Sequence, residues 1–66
     1  MNELGKSIML RRKSLGITQQ ELADLAEVGI NTVVATERGT GNPSVKTLQK
    51  IVKVLGYEIK LDLIKK

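Results

Sequence analysis

The sequence predicts an all-α fold, a compact bundle of four helices, followed by a short C-terminal β-strand that pairs across a homodimer. Three observations predict it. Residues 18–39, TQQELADLAEVGINTVVATERG, read as a helix, a tight turn and a second helix. Apolar residues recur at helical spacing on both sides of that stretch, and glycines close the runs. After Gly56 the apolar period changes from helical to alternating.

The bulk properties bound the reading. Sixty-six residues make one small domain. A chain this short buries only about 60% of its unfolded surface and needs a disulfide, a metal or a partner subunit to be secure. With no Cys and no His, disulfides, the usual structural zinc site, thiol chemistry and imidazole catalysis are all excluded. A second copy of the chain is the remaining support. No catalytic residue, metal site or cofactor motif is expected, and without paired carboxylates in a recognisable pocket an enzyme is not expected either. The net charge of +4 favours an anionic partner. One Tyr and no Phe or Trp leave no stacking platform for single strands or RNA. No apolar run approaches the roughly 18 residues of a membrane span, and MNELGKSIML does not read as a signal peptide. The absence of Cys fits a reducing compartment such as the cytoplasm.

Helix 1 is expected over Asn2 to Leu15, with Asn2 as cap and Glu3 in the first turn. Leu4, Ile8 and Leu15 share a face, and Arg12 lies on the same face as Ile8. Gly5 costs about 1 kcal/mol against Ala inside a helix, which implies close backbone approach by another segment. Lys6, Arg11 and Lys13 point elsewhere, as a solvated basic face or as phosphate contacts. Gly16 ends the helix. Helix 2 starts at Thr18, where T-x-x-E with Glu21 makes a capping box. Leu22, Ala23 and Ala26 face inward, with Leu25 beside them. Gln19 lies in the first turn, where backbone N–H groups and a side-chain amide can grip a phosphate. It can equally be an ordinary exposed Gln.

Glu27, Val28 and Gly29 form the turn, with Val28 expected to plug the core and Gly29 to cap helix 3. Helix 3 runs from about Ile30 to Arg38 and stops at Gly39. One side of it holds Val33, Thr36 and Glu37; the other holds Asn31, Val34, Ala35 and Arg38. A carboxylate on the inner side needs a partner, and Arg12 is the one basic residue on an inward face, so an Arg12–Glu37 ion pair is expected. The outer side lacks the Lys, Glu or Gln of a solvated helix. Asn pairs with adenine edges and apolar groups meet the thymine methyl, so this face suits a DNA major groove. A protein interface is the other reading of the same face.

Thr40 to Pro43 is a loop, and Ser44 caps helix 4, which runs to about Leu55. Leu48, Ile51, Val52 and Leu55 form its stripe, with Lys46, Lys50 and Lys53 off it. Then Tyr57, Ile59, Leu61 and Leu63 alternate with Glu58, Lys60 and Asp62. A lone strand has no ladder partner, so the same strand from a second molecule, antiparallel about a two-fold axis, is its simplest mate. A tail laid on its own helices is the alternative. The chain thus divides into a domain over 1–56 and a dimerisation strand over 57–66.

From Leu4 to Leu55 the chain resembles the Xre/Cro/C1 helix-turn-helix regulators of bacteria and phage, a lambda-repressor-like fold. The resemblance rests on LG at 4–5, Ile8, Arg12, LGITQQELA at 15–23, Val28, TVV at 32–34, ERG at 37–39, NPS at 42–44, and Leu48, Ile51 and Leu55. It implies a homodimeric repressor of transcription on palindromic double-stranded DNA. It places Gln19, Asn31, Thr32 and Ala35 on the family's DNA-contacting positions, and Arg12 and Glu37 on its interhelical ion pair. Asn31 and Thr32 are then expected to read base edges, with Val34 and Ala35 against methyl groups. Thr18 and Gln19, with Arg38, Thr40, Asn42 and Lys46, are expected on phosphates. GIN and ERGTGNPS, with a strand after helix 4, look most like the small HipB-like antitoxin branch, whose members often hold a HipA-like kinase toxin. Two positions depart from the family. Glu27 stands where it has a turn glycine, and Gly29 where the cap is commonly Ser or Thr.

Overall fold

The computed structural model describes residues 3–57. Its elements are α1 (Glu3–Ser14), α2 (Gln19–Ala26), α3 (Ile30–Arg38) and α4 (Val45–Val54), and no strand occurs among the described residues. The fold is all-helical there. The expected Asn2 cap and Ile59, Leu61 and Leu63 of the expected strand lie outside the described residues.

The helix starts follow the sequence closely. Thr18 Oγ1 accepts from the Glu21 N–H at 3.0 Å, and the Thr18 N–H donates to Glu21 Oε1 at 2.8 Å, which completes the capping box. Ser44 Oγ accepts from the Thr47 N–H at 3.1 Å. Gly29 is the N-cap of α3 and offers no side-chain bond.

The four described helices all end in the same motif, in which a left-handed residue turns the chain and two N–H groups return to the last carbonyls. Gly16, Gly39 and Gly56 fill that position in α1, α3 and α4. In α2 it is Glu27, at φ 59° and ψ 44°. The turn still closes, through Glu27 N–H to Asp24 O at 3.2 Å and Val28 N–H to Ala23 O at 3.0 Å. The shape of the turn therefore follows the hydrogen bonds, and the side chain bears the steric cost of a conformation that glycine adopts freely.

Leu22, Val33, Ile51 and Leu55 are fully buried at the centre, with Ile8, Ala23, Ala26 and Val52 around them. Ile17, Val28 and Val54 pack against this group, Val28 from inside the α2–α3 turn. Helix α2 sits between α3 and α4, and α1 packs on α3. At the α1–α3 contact, a Cβ on Gly5 would stand 2.4 Å from the Thr36 carbonyl oxygen and 2.8 Å from that of Glu37. Two backbones meet there with no room for a side chain.

That contact corrects the expected face of α1. Its buried residues are Gly5, Ile8 and Arg12, whereas Leu4 and Leu15 are exposed. The closest approach is centred on Gly5, so the large side chains are pushed to the flanks. Leu25 is likewise 62% exposed instead of lying beside Leu22. The small residues Ala23 and Ala26 take the inner positions of α2, where close helix crossing favours them.

Candidate nucleic-acid interface

The site is organised around α3, and its inner side explains how that helix is held. Arg12 Nε donates to Glu37 Oε2 at 2.7 Å, and Arg12 Nη2 donates to Glu37 Oε1 at 3.1 Å. This is a two-pronged guanidinium–carboxylate contact, the geometry in which such pairs are strongest. The Arg12 and Glu37 side chains are only 10% and 3% exposed. A third Arg12 nitrogen, Nη1, donates to the Ile17 carbonyl at 3.0 Å and ties in the α1–α2 loop. Gln19 Nε2 donates to Glu37 Oε1 at 3.0 Å and ties in α2. One carboxylate thus connects three helices. The hydrogen bond to Glu37 pushes the Arg12 guanidinium above its ordinary range, burial opposes it, and the carboxylate's charge adds to the rise. A raised folded-state value makes the pair's contribution complete below the unfolded guanidinium's range and lost only as pH climbs past the folded one. Alkaline conditions in ordinary use do not discharge Arg12.

The Gln19 amide is therefore committed on one side. One of its N–H bonds is spent on Glu37, which fixes the side chain at the N-terminus of α2. Its second N–H, with the first-turn backbone N–H groups other than that of Glu21, is what this end of α2 can offer outward. Thr18 Oγ1 is occupied as a cap acceptor. Thr40 Oγ1 donates to the Ala35 carbonyl at 3.3 Å and helps close α3.

The outer side of α3 has a different character. Val33, Thr36 and Glu37 are buried, and Asn31, Ala35 and Arg38 stand opposite them. Asn31 and Arg38 are exposed, while Thr32, Val34 and Ala35 are half-buried. Asn31, Thr32 and Ala35 line an open groove of about 290 Å³ together with Asn42 and Pro43 of the loop after α3. Four of the residues singled out in the sequence are thus gathered at one place. Val34 and Arg38 lie on the same helix outside that lining, and Lys46 is exposed in the first turn of α4. The surface offered is short, uncharged and concave at its centre. Short uncharged side chains read base edges and methyl groups in general, and cations nearby hold phosphates.

Among the cations, Arg11 is the one that sequence reasoning placed wrongly. Expected with Lys6 and Lys13 on a solvated basic face or on phosphate, it is half-buried. Its Nε donates to the Leu55 carbonyl at 3.0 Å, and its guanidinium carbon lies 5.4 Å from the centre of the Tyr57 ring. The available signal was residue type. A planar guanidinium stacks on a ring and bonds a carbonyl where lysine prefers water, and Arg11 is the arginine among Lys6, Arg11 and Lys13.

A helix-turn-helix family profile matches residues 8–61. A relative described as an uncharacterized HTH-type transcriptional regulator, from Methanothermobacter thermautotrophicus, is 43% identical over 47 residues, covering 71% of this chain and 68% of its own. The capped pair α2–α3, the buried Arg12–Glu37 pair and the family match lead to one conclusion: the chain belongs to the Xre/Cro/C1-type helix-turn-helix family.

Proposed function

We propose that the chain is a sequence-specific transcriptional repressor that binds palindromic double-stranded DNA as a homodimer in the cytoplasm. The observation that carries this reading is the contrast across α3, an inner side held by the core and by the Arg12–Glu37–Gln19 contacts and an outer side of short uncharged groups. The helix enters the major groove. Asn31 and Thr32 read base edges, and Val34 and Ala35 meet methyl groups. Thr18 and Gln19 at the start of α2, Arg38, Thr40 and Asn42 around the loop, and Lys46 on α4 hold phosphates. Residues 1–56 form the reading domain. Residues 57–66, with Tyr57, Ile59, Leu61 and Leu63, pair as antiparallel strands about the two-fold axis. Such a dimer sets its two reading helices about 34 Å apart. Selection from random duplexes at physiological salt tests this: a palindromic motif is the expected result, and salt-sensitive binding without any motif refutes base reading.

A second reading has its own support. Leu25 is 62% exposed and shares an open groove with Lys50, Lys53 and Val54, apart from the Asn31 groove. Exposed apolar surface away from the reading helix suits a protein partner. With the HipB-like resemblance, it favours an antitoxin that holds a HipA-like kinase toxin and uses DNA binding for autoregulation. Leu25→Lys is expected to abolish toxin capture and leave DNA affinity unchanged; loss of both ties the two surfaces together and rejects this reading.

A further inference from the structure

The point where the described chain leaves α4 is built around one side chain from α1. Leu55 caps α4 and Gly56 takes the left-handed position at φ 85°. The Tyr57 N–H returns to the Val52 carbonyl at 2.9 Å. A glycine at this place is a pivot, because it turns through conformations closed to other residues. Arg11 spans the pivot. Its Nε holds the Leu55 carbonyl at 3.0 Å on one side. Its guanidinium faces the Tyr57 ring at 5.4 Å on the other. Its Nη2 would stand 3.7 Å from a Cβ at Gly56, in ordinary contact.

Arg12, the next residue, faces another way and grips Glu37 near the end of α3. Gly5 seats the same helix directly against the α3 backbone. Helix α1 is therefore fixed to the reading helix at two points and to the exit of the chain at a third. A rotation of the exit about Gly56 carries the Tyr57 ring off the Arg11 guanidinium, which the bond to the Leu55 carbonyl holds in place.

We propose that Arg11 is a positioning residue that fixes the direction in which residues 57–66 leave the domain, and through it the half-site spacing that a dimer can read. This rests on the dimeric DNA-binding reading above. Two domains joined by a well-directed connection engage two half-sites together at one spacing; a free connection engages a range of spacings, each less well. The sequence neighbours Arg11 and Arg12 thereby do complementary work. One orients the reading helix within a domain and the other orients the domain within the pair.

The test measures equilibrium binding of the full chain to duplexes that carry two selected half-sites at a series of spacings. A duplex with one half-site scrambled is the control. Wild type is expected to prefer its best spacing by roughly a hundredfold over the worst. Arg11→Ala is expected to cut that preference to about a tenth of its size while leaving single half-site affinity unchanged. Arg11→Lys keeps the charge but not the planar group that reaches the Leu55 carbonyl and the Tyr57 ring together, so it is expected to fall between wild type and Arg11→Ala. Tyr57→Leu removes the ring from the other side and reports on the same contact if Arg11→Ala does not fold. Unchanged spacing preference in folded Arg11→Ala and Tyr57→Leu overturns the proposal. Equal weakening on single and paired half-sites also overturns it, because it makes Arg11 a phosphate contact. A wild type that binds two half-sites no better than the scrambled one-site control at any spacing fails at the earlier step and refutes the dimeric reading itself. A wild type that gains from the second half-site equally at every spacing leaves the dimer standing and overturns this inference.

Discussion

The two sides of α3 are built to opposite rules. On the inner side the apolar and charged groups have assigned neighbours, and the Thr36 hydroxyl is the buried side-chain group among the described residues without a hydrogen-bond partner. Val33 is fully buried in the core, Glu37 accepts from both Arg12 and Gln19, and the last carbonyls touch Gly5 of α1. On the outer side Asn31 is exposed and Ala35 lines an open groove, and neither is needed to hold the helix in place. A helix this short has little stability of its own, so packing on one side must set it. Having been set, it leaves the other side free to be chosen for a partner. The difference separates residues whose loss unfolds the domain from residues whose loss changes only what it recognises.

The inner side should show the largest effect. Arg12→Met removes the guanidinium and leaves the Glu37 carboxylate buried beside Gln19 alone. Breaking one partner of a buried pair costs about 3–5 kcal/mol, which approaches the whole stability of a domain this small. Urea denaturation is expected to find the variant largely unfolded. Adding Glu37→Leu removes the stranded charge, and the double variant should recover most of the loss. A single variant within about 1 kcal/mol of wild type would mean that the carboxylate reaches water and that the inner side is less closed than its burial indicates.

Gly5→Ala comes next. The new Cβ meets two backbone oxygens, which cannot rotate away as a side chain could, so α1 and α3 must separate. Overpacking of this kind costs about 1–3 kcal/mol. Thermal unfolding followed by circular dichroism should show a lower midpoint with unchanged helix content. A neutral result would show that α1 slides on α3 without penalty.

How much of this could be read in the residues follows the same division. The helix starts were legible because Thr18 with Glu21 and Ser44 are local signals, complete within four residues. The inner side of α3 was legible because a carboxylate among apolar neighbours demands a cation. The close approach at Gly5 was legible for a similar reason, since a glycine inside a helix needs an explanation. What could not be read was which flank of a stripe turns inward. Leu4, Leu15 and Leu25 are as apolar as Ile8 and Leu22, and their exposure is decided by the α1–α3 and α2–α4 crossings. Arg11 was hidden because its partners, Leu55 and Tyr57, lie more than forty residues away. Around the groove, residue types suggested which side of α3 faces outward. They could not show that Asn42 and Pro43 of the following loop complete the lining.

Glu27 tests the border between the two sides, in the turn that leads into α3. It holds the left-handed position that Gly16, Gly39 and Gly56 hold elsewhere. A non-glycine residue there costs about 1–2 kcal/mol, so Glu27→Gly should raise stability by about 1 kcal/mol with the fold unchanged. The DNA effect separates two reasons for keeping Glu27. Affinity that rises by more than tight folding explains would mean that the carboxylate repels phosphate. Unchanged affinity at low salt would mean that the side chain points clear of the duplex, and that only the strain is removed.

Asn31→Ala should have the smallest effect on the domain and the most specific effect on recognition. Its side chain is exposed and makes no contact that holds α3, so stability should stay within about 0.5 kcal/mol. On DNA, loss of a bidentate contact to adenine is worth about 1–3 kcal/mol of discrimination at one base pair in each half-site. The measurement is a pair of selections from random duplexes, one with each protein, with the motifs compared position by position. A motif relaxed at one symmetric pair of positions keeps Asn31 as a reader. Uniform weakening across all sequences would make it a phosphate contact and shift base reading to Thr32 and Ala35. A fall in stability would be the more damaging result, because it would show that the outer side carries the fold after all.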